Sequence, residues 1–155
     1  MKNIPAFLGI TLGGVAVDLL SKWIVFSQID KFEKVTLIPR LLNILRSENE
    51  GIIFGIFPGR TNAFIFFSAL AIIIILCLYF WSEETTFIPN IALGFILGGA
   101  IGNLWDRIWY GHVRDFIDFH IGNKYHWPTF NVADSLICVG ISIMIFSSFF
   151  MEKPK

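Results

Sequence analysis

From Asn62 to Trp81 the chain carries no charged side chain, and its middle reads Ala71-Ile72-Ile73-Ile74-Ile75-Leu76. About 20 apolar residues, rising about 1.5 Å each in a helix, match the roughly 30 Å hydrocarbon core of a bilayer. Inside hydrocarbon every backbone N–H and C=O must be paired within the protein, so only helices and closed barrels can span it. Three further stretches have similar length and apolarity. The sequence therefore predicts four transmembrane helices, at about 4–26, 62–81, 88–109 and 132–151. The expected fold is an all-α integral membrane protein, a single membrane domain over residues 1–155.

Composition agrees with this. Hydrophobic residues make up 55% of the chain and charged residues only 15%, with a mean hydropathy of +0.67, too few charges to cover a soluble surface. Twelve basic residues balance twelve acidic ones and no basic run occurs, which sets nucleic-acid binding aside. Lys2 before an apolar stretch resembles the start of a secretory signal, but the stretch continues past Asp18 and Lys22 into Trp23-Ile24-Val25-Phe26. No A-x-A-like cleavage site follows, so the segment reads as a retained helix. Cys77 and Cys138 lie inside apolar runs and read as small core or lipid-facing residues rather than a disulfide.

Glycines recur every fourth residue in the third span (Gly94, Gly98, Gly102), and the first carries Gly9 and Gly13. Glycine is common in membrane helices, but three in register favour a face along which helix backbones approach closely. Between the first two spans, Lys34–Ile38 and Leu42–Arg46 read as short strands broken by Pro39, within a β-rich segment at about 33–58. This predicts a small β platform at the membrane surface. Gly122-Asn123 signals a turn between the third and fourth spans, where Tyr125, Trp127 and Phe130 suit the headgroup interface. Four spans put both termini on one side. The positive-inside rule does not fix which, because Lys2, Lys153 and Lys155 are opposed by Lys31, Lys34, Arg40, Arg46 and Arg60.

The ionisable residues carry the functional argument. An Asp, Lys or Arg at a helix centre costs about 2.5–3.5 kcal/mol on insertion scales, so each needs a partner or a task. Asp18 and Lys22 lie four apart near the far end of the first span, and Asn103, Asp106 and Arg107 near the far end of the third. Asp115 and Asp118 follow the third span, Asn131 and Asp134 open the fourth, and Asn49 lies on the same side. Asp18–Lys22 reads either as an intrahelical ion pair or as site support, and Asp106–Arg107 as an anchor or buried pair. Asp118 reads as a solvated loop acid. Asp115 and Asp134 each adjoin an apolar helix, where an unpaired carboxylate is costly. Two carboxyls sharing a proton resolve that cost and yield an acid and a base in one place.

A metal centre would draw on His112, Asp115, Asp118, His120 and His126, but neither H-E-x-x-H nor tight Cys/His spacing is present, so no metal is expected. His120 and His126 read equally well as interfacial residues. Ser135 lacks a G-x-S-x-G setting and reads as a hydrogen-bonding residue at a helix start.

Five blocks, in order along nearly the whole chain, resemble lipoprotein signal peptidase (signal peptidase II). They are Asp18-Leu19-Leu20-Ser21-Lys22, Asn49-Glu50-Gly51-Ile52-Ile53-Phe54-Gly55, Gly98-Gly99-Ala100-Ile101-Gly102-Asn103-Leu104-Trp105-Asp106-Arg107, Gly111-His112-Val113-Arg114-Asp115-Phe116-Ile117-Asp118-Phe119 and Phe130-Asn131-Val132-Ala133-Asp134-Ser135. The resemblance implies an aspartic endopeptidase of the bacterial inner membrane with cytoplasmic termini and its active site toward the outer face. It implies removal of the signal peptide from diacylglyceryl-modified prolipoproteins just before the lipidated cysteine, without cofactor or metal. The catalytic pair would be Asp115 and Asp134, with Asp18, Lys22, Asn49, Asn103, Asp106, Arg107 and Asn131 in support. Lipidated prolipoproteins, membrane lipid and globomycin-type inhibitors are the implied partners, and a monomer is expected. Ile52-Ile53 departs from the family's small pair. Intramembrane carboxylates also build proton-coupled transporters, but here they gather at one face without lining a path across, and no inverted repeat of broken helices is seen. An assembly subunit held by glycine stripes would leave the aspartates without a task.

Overall fold

The structure is a computed structural model that describes residues 3–51, 61–81, 87–122 and 124–150. Four long helices, Ile4–Gln28 (α1), Thr61–Trp81 (α2), Phe87–Tyr110 (α3) and Val132–Phe150 (α4), are each long and apolar enough to cross a membrane. They lie close to the predicted spans. Asn3 caps α1 by accepting from the Ala6 N–H at 3.2 Å, and Gly111, at φ 77°, closes α3.

Helix α3 is the centre of the bundle. Phe7, Thr11 and Asp18 of α1 meet Gly94, Gly98 and Gly102 in ascending order, so these two helices run parallel. Gly99 meets Ala133 while Gly140 meets Ala92, so α4 runs the other way. A methyl group at Gly98 would sit 2.9 Å from the Thr11 carbonyl oxygen, and one at Gly140 would sit 2.7 Å from that of Ala92. The expected glycine face of α3 at Gly94, Gly98 and Gly102 is therefore a close approach to α1, while α4 is met by Gly99 of α3 and by its own Gly140. The glycines expected to answer it on α1 do not: Gly9 and Gly13 have none of the described residues within 4 Å of an added methyl group, and Gly14 makes the close approach instead. Helix α2 packs through Ile72, Ile75, Leu76 and Tyr79 on Phe7, Leu93 and Leu97, with the Phe7 and Tyr79 rings stacked at 3.8 Å. The outward faces are strongly apolar, with Leu12, Phe66 and Trp109 all mostly exposed, as lipid contact requires. Cys77 and Cys138 are unpaired and exposed among them.

At the end of the bundle where α1 and α3 finish and α4 begins sits an antiparallel sheet of Lys34–Ile38 (β1), Leu42–Asn49 (β2), Val113–Ile121 (β3) and Tyr125–His126 (β4), in the order β1-β2-β3-β4. The β1–β2 hairpin matches the reading of two strands broken at Pro39; its turn puts Arg40 at φ 65°. Positions 52–58 of the expected β-rich segment lie outside the described residues. Strand β3 was not expected, because 113–121 does not alternate. It is buried on both faces over most of its length, and such a strand shows no period of two. Gly122, at φ 63°, begins the predicted turn into β4. Beyond β4, the Phe130 backbone pairs with Phe116 and Ile117 and leads the chain into α4.

Candidate active site

The first turn of α4 is held by a reciprocal pair of hydrogen bonds. The Asn131 Oδ1 accepts from the Asp134 N–H at 3.0 Å, and the Asp134 Oδ2 accepts from the Asn131 N–H at 3.2 Å. This is the capping-box arrangement, with Asn131 at the cap and Asp134 three residues on. A third free N–H of the turn, that of Ala133, donates to the Asp18 Oδ1 at 2.8 Å. Ser135 returns its hydroxyl to the Asn131 carbonyl, in keeping with its expected role near the helix start. Asp134 is thus fixed at a helix N-terminus, where the helix dipole favours negative charge.

Asn131 also reaches the second carboxylate. Its Nδ2 donates to the Asp115 Oδ1 at 2.7 Å and to the Asn103 Oδ1 at 3.1 Å. Asn103 passes its own Nδ2 to the Asp134 Oδ1 at 2.8 Å, and Asn49, at the end of β2, donates to the Asp115 Oδ2 at 2.9 Å. Each of the four carboxylate oxygens therefore has one protein donor and keeps lone-pair capacity for a further partner. Asp115 is 1% exposed. Burial, reinforced by the charge of Asp134 and opposed by the Asn49 and Asn131 hydrogen bonds, pushes its pKa up to about 7. A carboxyl half-protonated near neutrality can serve as acid or base.

Beneath this pair lies a buried ionic cluster. The Lys22 ammonium meets Asp18 Oδ2 at 2.7 Å, Asn103 Oδ1 at 3.1 Å and Asp106 Oδ2 at 3.2 Å, one acceptor for each of its three donors. Asp106 takes the Arg114 guanidinium on one oxygen at 2.8 and 3.1 Å and the Arg114 backbone N–H on the other. Asp18, Lys22 and Asp106 are fully buried. Asp18–Lys22 is therefore more than an intrahelical pair, since it ties α1 to α3 and α4. The expected Asp106–Arg107 pair is corrected: Asp106 binds Lys22 and Arg114. Arg107 reaches the Asn103 carbonyl at 3.4 Å and stands within electrostatic range of Asp134, Asp115 and Asp106.

All nine residues singled out in the sequence meet at this end of the bundle. Arg114 was missed, although it directly precedes Asp115 in the sequence. The reading of Asp118 as a solvated loop acid is overturned: it is 6% exposed, lies in β3 and is bound by Asn43 at 2.7 Å and His126 at 3.0 Å. Burial alone would raise its pKa; these hydrogen bonds and the neighbouring imidazoles hold it below the usual carboxylate range. Of the residues weighed as metal ligands in the sequence, Asp118, His120 and His126 bring their ligand atoms within 4.8 Å of one another. His112 and Asp115 are not part of that group.

Comparison with known proteins gives the family. The profile of the family described as Signal peptidase (SPase) II matches residues 10–150. The chain belongs to the signal peptidase II family. It is 39% identical over 145 residues to the lipoprotein signal peptidase of Yersinia enterocolitica, covering 91% of this chain and 85% of that one. It is 37% identical over 153 residues to that of Klebsiella pneumoniae, covering 96% and 90%. Among solved structures, a bacterial membrane enzyme determined by the in meso method at 2.3 Å resolution superposes with a TM-score of 0.88 at 26% identity, covering 99% of this chain and 96% of that one. This signal peptidase II chain is accordingly a multi-pass membrane protein of a protease family, and its four helices and sheet are an architecture shared with a membrane enzyme.

Proposed function

We propose that the protein removes the signal peptide from diacylglyceryl-modified prolipoproteins, cutting just before the lipidated cysteine, and that Asp115 and Asp134 activate the attacking water. The observation that carries this reading is the Asn131 side chain, which donates to one carboxylate and accepts from the backbone N–H of the other. In the proposed step, the ionised member of the pair takes a proton from water as its oxygen attacks the scissile carbonyl carbon. The protonated member, for which Asp115 is the favoured seat, donates its proton to the carbonyl oxygen to give a gem-diol; the member that took water's proton then passes it to the leaving amine as the C–N bond breaks, and a diol hydroxyl returns its proton to Asp115. Asn49, Asn103 and Arg107 orient the pair and the substrate backbone, while Asp18, Lys22 and Asp106 hold the helix ends in register. The signal helix and acyl chains enter sideways from the bilayer. The enzyme works as a monomer in the bacterial inner membrane, with cytoplasmic termini and this site toward the outer face, and globomycin-type inhibitors occupy the same site.

The decisive experiment gives the purified full chain, in detergent, a prolipoprotein peptide with and without the diacylglyceryl group. Cleavage of the lipidated peptide alone, at the bond before the modified cysteine, is expected. Equal cleavage of the unmodified peptide, or cleavage at another bond, would overturn the assignment of substrate.

A further inference from the structure

The sheet carries a second cluster of chemically capable side chains that the proposed proteolysis does not use. Asp118 and His120 stand two apart on β3, and therefore on one face. His126 on β4 is the cross-strand partner of His120, and Asn43 on β2 is the cross-strand partner of Asp118. The carboxylate has the His126 Nδ1 at 3.0 Å from one oxygen and the His120 Nδ1 at 3.7 Å from the other. The two imidazole rings stack at 4.9 Å. Asp118 and His120 are buried, whereas the His126 side chain is 52% exposed and leaves an approach from outside.

We propose that Asp118, His120 and His126 form a binding site for a divalent cation of the zinc class. Two imidazole nitrogens and one carboxylate are a ligand set suited to borderline transition metals, with a remaining position for water. Donors at about 2.0–2.1 Å from a tetrahedral zinc lie roughly 3.3 Å from one another. One atom from each residue brings the three donors within 4.8 Å of one another; His126 Nδ1 lies 3.0 Å from one carboxylate oxygen and His120 Nδ1 3.7 Å from the other, so a bound ion would draw the set inward by small side-chain rotations. Asn43 fixes the carboxylate: its Nδ2 donates to the Asp118 Oδ2 at 2.7 Å and lies 3.3 Å from the His120 Nδ1, and its Oδ1 is held by the Thr36 hydroxyl at 3.0 Å. Such hydrogen bonds to ligating groups are a recurrent part of built metal sites. A bound cation would join β3 to β4 and stiffen the hairpin that leads through Phe130 into Asn131. Its role is structural, and it supplies no step of the hydrolysis.

The test uses the full chain in detergent, free of any polyhistidine tag and stripped with chelator. Cobalt(II) and then zinc are titrated, and binding is read by visible absorption, by calorimetry and by melting temperature. One cobalt per chain with absorption typical of low coordination, displaced by zinc, is expected, together with a zinc-dependent rise in melting temperature. His126→Gln alters a half-exposed residue and should leave the fold intact while weakening binding by about tenfold or more. Asp118→Asn should weaken it likewise, and Asp115→Asn and His112→Gln should leave it unchanged. Absence of saturable binding, or affinity unaltered in His126→Gln, would overturn the site. Loss of binding in Asp115→Asn with retention in His126→Gln would overturn it too, placing the metal at the aspartate pair.

Discussion

Asp115 and Asp118 stand three residues apart in one strand, and an odd spacing in a strand sends side chains to opposite faces. Asp115 goes to Asn49, Asn131 and the neighbourhood of Asp134, while Asp118 goes to Asn43 and the imidazoles. The proposed mechanism predicts that Asp115→Asn and Asp134→Asn each lower turnover by roughly 10^2–10^4-fold or more, and that the double variant is scarcely worse than either. Asp118→Asn should melt earlier yet keep most of its turnover. A lipidated-peptide cleavage assay with parallel thermal shifts checks this; an active Asp115→Asn beside a folded but dead Asp118→Asn would reverse the roles. A pH effect follows from the raised pKa of Asp115. With about 7 in the folded chain against 3.8 unfolded, this group's contribution is fully present below about pH 4 and lost as pH rises toward and through 7. Relative to wild type, Asp115→Asn should therefore gain thermal stability between pH 5 and pH 8, by up to a few kcal/mol. A gap that stays constant or shrinks with pH would show that Asp115 is ionised at little cost. The sequence located these acids but misjudged Asp118, because with β3 unrecognised the alternation that separates the two was invisible.

At the level of elements, α3 does most of the positioning. Its glycines at 94, 98 and 102 take α1, and its Gly99 takes the first turn of α4, where Asp134 sits. Gly99→Ala would drive a methyl group into the Ala133 carbonyl and displace that turn, at about 1–3 kcal/mol and with loss of activity. Gly9→Ala meets none of the described residues within 4 Å and should be neutral or slightly stabilising, since alanine favours the helix by up to about 1 kcal/mol. Melting curves of the two variants in detergent measure the contrast, and equal melting would show that the close approach carries no weight. The period-four glycines of α3 were legible because small residues at helical spacing are a direct packing signal. Their partner on α1 was not, because Gly9, Gly13 and Gly14 differ only by rotation about the helix axis, which a single sequence does not define.

For the whole molecule, the four spans were readable from length and apolarity alone, and the one-ended gathering of polar residues from their distance along each span. Strand β3 and the contacts it makes were not, because they depend on pairing distant segments: Asn49 with Asp115, Asn43 with Asp118. The proposed orientation makes a definite expectation. With Cys77 and Cys138 replaced, a cysteine introduced at Lys31 or Lys124 should react with an impermeant thiol reagent in intact cells, and one introduced at Glu83 should not. Labelling at 83 and protection at 124 would invert the protein in its membrane.

The double duty of the residues at this end has a consequence for inhibition. Asp134 is both a proposed catalytic group and half of the box that starts α4, Asn131 is its counterpart and the donor to Asp115, and Asp18 caps the same turn while neutralising Lys22. A compound that bound by hydrogen bonding to this network would leave the organism few routes to resistance. Most substitutions able to weaken such a compound would also unseat a helix or strand a buried charge, so escape would have to come from the periphery of the site or from changes in how much enzyme is made.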